Sequence, residues 1–340
     1  MRIATYNIEW FNALFDDEGA LLDDGEWSAR YNVTRADQLA ALGIVFTALD
    51  ADAVLVVEAP DESRKRATVP ALENFASATG MRARKALIGF ANDTQQEIAL
   101  LYDPDVVTCT HDPQGERTGQ KGSPDAPRFD GVFRIDLDID AAEDKVVFSK
   151  PPLEVALRTA SGFDLRLIGA HLKSKAPHGA TSHDEAMKMG IANRRKQQAQ
   201  AVWLRQRIEG HLAAGESLIV LGDLNDGPGL DAYEELFGRS SVEIILGAGE
   251  RRLYDPHAKR ALERRLGAVN STARFYIQDE KRYLQALLDY IMVSDDLRNR
   301  APVWRIWHPF DEPSCWKVPE LREALLMASD HFPVTLDIEI

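Results

Sequence analysis

Short runs of apolar and β-branched residues recur along the whole chain and predict a protein rich in β-strands. The run Ser217–Leu221 is apolar after its first residue, a pattern typical of a strand that is covered on both faces. Phe133–Ile139 alternates apolar and polar residues and predicts a strand with one face in water. The predicted strands are Arg2–Ile8, Ala53–Glu58, Glu97–Tyr102, Val132–Asp138, Leu153–Ala160, Asp164–His171, Ser217–Gly222, Leu287–Ser294 and Pro333–Ile340.

Segments with the apolar spacing of helices separate these strands, so we expect helices that flank sheets. Gly80 is expected to end one of them. The irregular stretch His111–Asp130 places glycine and proline among charged residues and predicts an exposed loop. Because the strands on either side of it have the same character, we predict a single domain over residues 1–340 with an irregular loop insertion around 111–131. The predicted helices are Arg35–Leu49, Pro70–Thr79, Ala192–Leu212, Leu230–Phe237 and Pro319–Met327.

Composition places the chain among ordinary globular proteins. It has 340 residues, of which 45% are hydrophobic and 28% charged, which excludes collagen-like, disordered and membrane-spanning classes. The net charge of −14 disfavours a protein that coats nucleic acid without regard to sequence. An enzyme that handles phosphate remains compatible with this charge, because bound metal ions reverse the sign locally.

Cysteine use and the N-terminal residues indicate a cytoplasmic protein. The two cysteines, Cys109 and Cys315, are too few for a disulfide scaffold and lack metal-ligand spacing. Arg2, Asn7 and Glu9 interrupt the first apolar run, so no signal peptide is predicted. The longest apolar runs fall far short of the roughly 20 residues of a membrane helix, and no membrane span is expected. No feature predicts a protein partner.

Acidic, amide and histidine side chains lie where several predicted strands end. Taken singly, most have an ordinary explanation as turn residues or as hydrogen-bonded core histidines. Asp289 is different, because it lies inside the apolar run Leu287–Val293. A carboxylate buried there needs a cation, a protonatable ring or a metal as its partner. The residues at these positions are Asn7, Glu9, Glu58, His171, Asp223, Asn225, Asp289, Asp330 and His331.

Together these residues supply the groups that phosphoester hydrolysis requires. Hard oxygen ligands without thiolates fit Mg²⁺ or Mn²⁺ better than zinc. Amide and imidazole donors can stabilise a phosphoryl oxygen in its transition state, and a carboxylate beside the metal can activate water. The set therefore predicts a metal-dependent phosphoester hydrolase.

Seven short segments, in chain order, also carry a resemblance to a known family. They are similar to the motifs of the endonuclease/exonuclease/phosphatase superfamily, whose members include pancreatic-type deoxyribonucleases, abasic-site endonucleases, inositol polyphosphate phosphatases and neutral sphingomyelinases. The resemblance spans nearly the whole chain, and its last three motifs are the most specific. The segments are Thr5–Ile8, Val57–Glu58, Ala99–Tyr102, Gly169–Leu172, Gly222–Asn225, Leu288–Ile291 and Ser329–Val334.

The resemblance implies an α+β fold, a four-layer αββα sandwich of two packed mixed β-sheets flanked by helices. It implies that Glu58 is the principal metal ligand, and that Asn7 and Asp330 complete or steer the metal shell. Glu9 would assist through water.

The resemblance also implies catalytic roles. Asp223 would orient or deprotonate the attacking water, and Asn225 would fix that water or a phosphate oxygen. His331, polarised by Asp289, would accept a proton or bind the phosphoryl oxygen. His171 would stabilise the transition state or protonate the leaving group.

Two segments, Ser149–Leu153 and His171–Lys175, resemble bacterial members of the family that are described as predicted nucleases. Lys173 and Lys175, with Arg195 on the following helix, are predicted to bind phosphates that flank the scissile one. An exposed basic loop and a solvated helix face are the alternatives for these three residues.

We therefore predict a divalent-metal-dependent phosphodiesterase, most directly a nuclease, with nucleic acid or another phosphodiester as its partner. The alternative enzyme is a phosphatase or phosphodiesterase acting on a small-molecule or lipid-linked phosphate. A non-catalytic binding protein is disfavoured, because none of the polar positions named above is replaced by an apolar residue.

Overall fold

Two β-sheets pack face to face in the computed structural model of this chain. The structure describes residues 1–137, 143–177, 179–227, 238–263, 270–277 and 281–340. The predicted helix Leu230–Phe237 lies outside the described residues. The strands are β1 (Arg2–Asn7), β2 (Ala53–Ala59), β3 (Lys85–Ile88), β4 (Glu97–Tyr102), β5 (Val107–His111), β6 (Phe133–Ile135), β7 (Asp144–Val146), β8 (Leu153–Thr159), β9 (Asp164–His171), β10 (Leu218–Asp223), β11 (Ala273–Ile277), β12 (Arg282–Ala286), β13 (Asp289–Val293), β14 (Val303–Ile306) and β15 (Val334–Asp337).

The six-stranded sheet has the order β14-β15-β1-β2-β4-β3, and the five-stranded sheet has the order β13-β10-β9-β8-β5. Each sheet is mixed, since β1 runs parallel to β2 and β10 runs parallel to β9 among otherwise antiparallel neighbours. The helices are α1 (Arg35–Leu49), α2 (Thr68–Thr79), α3 (His183–Ala213), α4 (Ser241–Leu246), α5 (Pro256–Leu262), α6 (Asp295–Arg298), α7 (Pro313–Trp316) and α8 (Pro319–Ala328).

Helices cover the outer face of each sheet. Phe46 of α1, Phe75 of α2 and Leu325 of α8 share one apolar core with the six-stranded sheet. Trp203 of α3 and Ile245 of α4 belong to the core that contains the five-stranded sheet. These layers confirm the predicted four-layer αββα sandwich. None of the described helices is long and apolar enough to cross a membrane.

The position of β2 between two apolar cores explains why its sequence is apolar without alternation. Ala53, Leu55 and Val57 face the core between the two sheets, whereas Val54 and Val56 face the core under the helices. Because both faces of the strand are covered, every position must be apolar. The strand stops being apolar at Glu58, where it reaches the edge of the sandwich.

Gly169 of β9 allows the two sheets to approach closely. A Cβ atom at this position would lie 2.3 Å from Cδ1 of Leu55 on the facing sheet. Such a distance is far inside van der Waals contact, so any larger residue would push the sheets apart. The glycine thereby fixes the spacing of the strands that carry His171 and Glu58.

Several elements differ from the sequence expectations. The predicted strand Val132–Asp138 is confined, among the described residues, to Phe133–Ile135, and it pairs with β7 in a separate two-stranded sheet. α3 begins at His183, well before the predicted Ala192, because the side chain of Ser182 accepts a hydrogen bond from the amide of Glu185. The elements β3, β5, β7, β11, β12 and β14 are short strands that were not predicted.

Candidate active site

A cleft of about 1060 Å³ opens where the polar strand ends of both sheets meet. Strand register explains this convergence, because Asp223 of β10 pairs with His171 of β9 on one side and with Asp289 of β13 on the other. Asn7 and Glu58 come from the ends of β1 and β2 in the facing sheet. The predicted site residues that line the cleft are Asn7, Glu9, Glu58, His171, Lys173, Lys175, Asp223, Asn225, Asp330 and His331.

His331 and Asp289 form a buried pair. Nδ1 of His331 lies 2.7 Å from Oδ2 of Asp289, and both residues are at most 5% exposed. The backbone amide of Asp289 donates to Oγ1 of Thr272 at 2.9 Å, which fixes the start of β13. Burial alone would lower the pKa of His331, but the Asp289 carboxylate outweighs it and holds that pKa well above its usual value. The pair therefore favours a protonated ring with Nε2 directed away from the carboxylate.

Asp223 lies at the centre of a hydrogen-bonded group. Its Oδ2 accepts from Nδ2 of Asn7 at 3.0 Å and from Nδ2 of Asn225 at 3.1 Å. Nε2 of His171 lies 3.6 Å from the same oxygen. Burial, reinforced by the nearby charge of Asp289, raises the pKa of Asp223 to about 7. A carboxyl group with that pKa can gain and lose a proton near neutral pH.

Asn225 is held by an unusual backbone conformation. Its φ angle is 49°, in the left-handed region that asparagine tolerates better than most residues. Its backbone amide donates to Oδ1 of Asp223 at 2.7 Å, and its side-chain amide also donates to the carbonyl of Leu172 at 3.1 Å. These bonds fix the amide beside Asp223.

Glu58 reaches the cleft through an irregularity in β2. The register of β2 against β4 shifts between Val57 and Ala59, and Glu58 has a φ angle of 62°. Nε2 of Gln96 donates to Oε2 of Glu58 at 2.7 Å. Burial raises the pKa of Glu58, although the positive charge of Lys150 opposes this.

Glu9 lines the cleft and is bound by two side chains. Arg30 forms an ion pair with its Oε2, and the indole N–H of Trp10 donates to its Oε1 at 3.1 Å. Burial, with repulsion from Asp330, raises the pKa of Glu9 to about 7. Arg30 was not predicted as a site residue, because its ion pair with Glu9 joins two loops that are separate in the chain.

Lys150 is a site residue to which the sequence assigned no role. Its ammonium nitrogen lies 3.2 Å from Nδ1 of His171, within the cleft. Burial lowers the pKa of Lys150, and burial together with the charge of Lys150 lowers the pKa of His171 well below its usual value. The segment Ser149–Leu153 could have indicated this residue, because it places a lysine shortly before β8, the strand that pairs with the His171 strand β9.

The sequence profile of the endonuclease/exonuclease/phosphatase family matches residues 4–331. The chain belongs to this family. The predicted resemblance is thereby confirmed, and the matched range contains all of the predicted site residues from Asn7 to His331. A search of curated protein sequences found no match.

Solved structures of three other proteins share the fold at low sequence identity. A 3′ phosphatase, NExo, from Neisseria, bound to a product DNA hairpin, is 14% identical over 100% of both chains, with a TM-score of 0.52. An AP endonuclease from Archaeoglobus fulgidus is 12% identical over 100% of both chains, with a TM-score of 0.52. TDP2 from D. rerio, in complex with a single-strand DNA product, is 13% identical over 100% of this chain and 99% of its own, with a TM-score of 0.51. At such identity the likeness establishes the fold alone.

The three predicted phosphate-binding cations occupy different environments. Lys173 lines the cleft and lies close enough to Lys150 and His171 to lower the pKa of each. Lys175 also lines the cleft, but its ammonium is 2.6 Å from the buried carboxylate of Asp226. Arg195 is not among the lining residues, and its guanidinium pairs with Asp144 at 3.2 Å. Of the three, the surroundings of Lys173 are the best suited to substrate.

Enzymes of this family generally use a divalent cation, and the oxygen ligands offered by the residues around Glu58 fit such an ion. Oδ1 of Asn7 is buried and has no hydrogen-bond partner among the described residues, so an amide oxygen is available as a ligand. Asp330 lies close enough to Glu9 and Glu58 that, besides burial, its charge raises the pKa of each, and the charge of Glu58 also raises the pKa of Glu9. Asp223, Asp289 and His331 also lie close enough to share an ion. We favour the set around Glu58, because Nδ1 of His331 is already occupied by Asp289.

Gln96 is expected to tune the metal affinity of Glu58, since its amide orients one carboxylate oxygen. Gln96→Ala should weaken Mn²⁺ binding about tenfold, within the range known for residues that support metal ligands. Isothermal titration calorimetry measures this directly. The matched control is Gln95→Ala, which removes the exposed neighbouring side chain and should leave the affinity unchanged. Equal affinities in the two variants would contradict the role of Gln96.

Proposed function

We propose that this protein is a divalent-metal-dependent phosphodiesterase, most directly a nuclease that hydrolyses phosphodiester bonds by attack of activated water. One observation carries the proposal: a metal-compatible group around Glu58 and the ring of His331, which Asp289 holds from behind, line the same cleft together with Asp223. Water activation and charge stabilisation are thereby available within one site.

Glu58, Asn7 and Asp330 would hold the ion, as expected for Mg²⁺ or Mn²⁺ with oxygen ligands. When bound, the ion would neutralise the phosphoryl oxygens and help lower the pKa of the attacking water. Glu9 would support this group from a greater distance, because Arg30 and Trp10 already engage its carboxylate.

The other site residues would move protons and stabilise charge. Asp223 would accept the proton of the attacking water, for which a pKa of about 7 is well suited. Asn225 would orient that water or a phosphoryl oxygen. His331, kept protonated by Asp289, would donate a hydrogen bond to the phosphoryl oxygen as charge develops there.

Lys150 would complete the stabilisation of the leaving group. Its ammonium lies against the ring of His171, so a leaving oxygen positioned by the ring would also meet a positive charge. His171, whose pKa is held low, is neutral at pH 7 and would act as a hydrogen-bond donor or as a proton relay between Lys150 and the leaving oxygen.

Nucleic acid is the substrate class that we favour. Two of the structures of like fold described above hold a DNA product, and the third is named an AP endonuclease. Lys173 extends the positive charge of the cleft beyond the reacting group, where a neighbouring phosphate of a strand would lie. The alternative is a small or lipid-linked phosphate, which is favoured by the apolar wall of the cleft formed by Phe275, Ile277 and Leu284.

Lys173→Ala should distinguish these substrates. It is expected to raise KM for a single-stranded oligonucleotide about tenfold while changing turnover of a minimal phosphodiester, methyl p-nitrophenyl phosphate, by less than about twofold, because a remote phosphate contributes to binding only. The salt dependence of oligonucleotide binding should become shallower by about one unit. The control is Lys188→Ala, which removes one positive charge from an exposed residue of α3 that does not line the cleft. It should change neither KM for the oligonucleotide nor the salt dependence of binding.

Equal losses on both substrates would place Lys173 in the chemical step. Robust turnover of phospholipids or inositol phosphates, with no cleavage of DNA, RNA or dinucleotides under the same metal conditions, would overturn the nuclease proposal in favour of the alternative.

A further inference from the structure

Asp226, directly after the Asp223–Asn225 loop, carries a carboxylate that is completely buried. Its Oδ1 is 2.6 Å from Nζ of Lys175 and 3.1 Å from Nη1 of Arg194. Its Oδ2 accepts from the backbone amide of Ser241 at 2.6 Å. A buried charge is tolerated when it is paired and hydrogen-bonded in this way. Asp226 thereby ties together the loop after β9, the middle of α3 and the start of α4.

Polar side chains of α3 also form hydrogen bonds with the loop after β9 and with the loop after β10. The side-chain amide of Gln197 donates to the carbonyl of Lys173 at 2.9 Å and to that of Asn225 at 2.9 Å. Oε1 of Gln200 accepts from the amide of Lys173 at 2.9 Å. Arg194, Gln197 and Gln200 are spaced at helical intervals and are all at most 1% exposed. One helix face therefore sets the position of Lys173 relative to Asn225.

We propose that Asp226 and Lys175 are positioning residues, which hold the loop carrying Lys173 against the loop carrying Asp223 and Asn225, and that Lys175 donates its hydrogen bond to this junction instead of to substrate. The inference rests on the proposed function, since it concerns the geometry of that site. It also separates Lys173 from Lys175, two residues that sequence alone treats alike.

Burial and distance support the distinction. The side chain of Lys175 is 14% exposed, and that of Asp226 is 0% exposed. If Lys175 turned toward a substrate phosphate, it would withdraw a hydrogen-bond donor from this buried carboxylate, which is costly. The Asn225 backbone, in its left-handed conformation, depends on its surroundings to remain there. Loosening the junction should therefore displace Asn225 and slow the chemical step.

The test compares two substitutions of Lys175. Lys175→Met removes both the charge and the hydrogen bond, whereas Lys175→Gln keeps a donor for Asp226 but carries no charge. We expect Lys175→Met to lower kcat about 10- to 100-fold on both an oligonucleotide and methyl p-nitrophenyl phosphate, as small displacements of catalytic groups do. KM should stay within about twofold. Lys175→Gln should recover most of the turnover.

The matched comparison is the same pair of substitutions at Lys173. There, Met and Gln should be equally harmful, and the loss should appear in KM for the oligonucleotide. The same pattern at Lys175 would overturn the inference, because it would show that the charge of Lys175 serves the substrate.

A second measurement does not depend on activity. Amide hydrogen exchange, followed in the full chain, should accelerate in Lys175→Met for segments 172–177 and 223–227 together, and should return toward the wild-type rate in Lys175→Gln. Unchanged exchange in both segments would refute the junction.

Failure of the wild-type protein to cleave any phosphodiester would refute the proposed function while leaving this exchange result intact, so the two failures are distinguishable. If Lys175→Met does not fold, the test rests on Lys175→Gln. A kcat and exchange rates equal to those of the wild type support the junction, and a raised KM for the oligonucleotide contradicts it.

Discussion

Replacing Glu58 by Gln should weaken binding of Mg²⁺ or Mn²⁺ by about 10- to 100-fold or more and lower turnover by at least a similar factor, because the site loses its principal anionic oxygen ligand. The side chain keeps its shape, so the neighbouring contact with Gln96 can re-form through the amide oxygen or nitrogen. Calorimetric titration of the metal and turnover at several metal concentrations measure the two effects separately. Excess chelator should abolish activity of the wild-type protein.

The fold should tolerate this change. Burial raises the pKa of Glu58, which means that the folded protein disfavours the charged form, and a neutral amide removes that cost. The thermal unfolding midpoint in the absence of metal should therefore stay equal or rise. Glu18→Gln, at an exposed position, is the control for the loss of one negative charge. Full activity in excess chelator, or activity restored by zinc alone, would contradict the magnesium proposal.

Asp289 and His331 should behave as one unit in mutational kinetics. Each single alanine substitution is expected to lower turnover on the order of 10²-fold or more, since the carboxylate orients and charges the ring while the ring faces the substrate. The double variant should lose far less than the product of the two single losses, because either substitution already removes the function of the pair. Turnover at saturating metal and substrate for all four proteins completes the cycle.

A second histidine–aspartate contact in the chain provides a control. Nδ1 of His308 lies 3.1 Å from Oδ2 of Asp311, and neither residue lines the cleft. Asp311→Ala should leave turnover within about twofold of the wild type, because the Asp311 side chain is 69% exposed and lies outside the cleft. Losses that multiply in the Asp289 and His331 double variant would show that the two residues act independently.

The sequence by itself determined the strands that form the centre of each sheet and most of the polar residues at their ends. Apolar patterning reports burial, and burial on both faces makes β2, β10 and the second half of β9 visible as uninterrupted runs. Where such a run stops at Glu58, His171 or Asp223, the edge of the sandwich is reached, and parallel or adjacent strands then bring these side chains together. Asp289 was recognisable for a related reason, since a carboxylate in an apolar strand needs a partner, and that partner is His331.

Short strands were beyond the reach of patterning. β3, β7 and β12 are only three to five residues long and gain their order from pairing with a neighbouring strand. Pairing of this kind depends on a partner that is supplied by the rest of the fold, so a local window of sequence carries little information about it. The hairpin of β11 and β12, which forms the apolar wall of the cleft, was missed for this reason.

Tertiary structure alone decided which polar side chains serve the site. On α3 the sequence singled out Arg195, whereas the cleft side of the helix presents Arg194, which pairs with Asp226. Successive helical residues differ by about 100° in direction, and a run of consecutive polar residues does not reveal which direction faces inward. The partners Arg30–Glu9, Gln96–Glu58 and Lys175–Asp226 likewise join segments that are separate in the chain. Local sequence therefore set the kinds of groups at the strand ends, and long-range packing decided which of them pair with one another and which remain directed at the cleft.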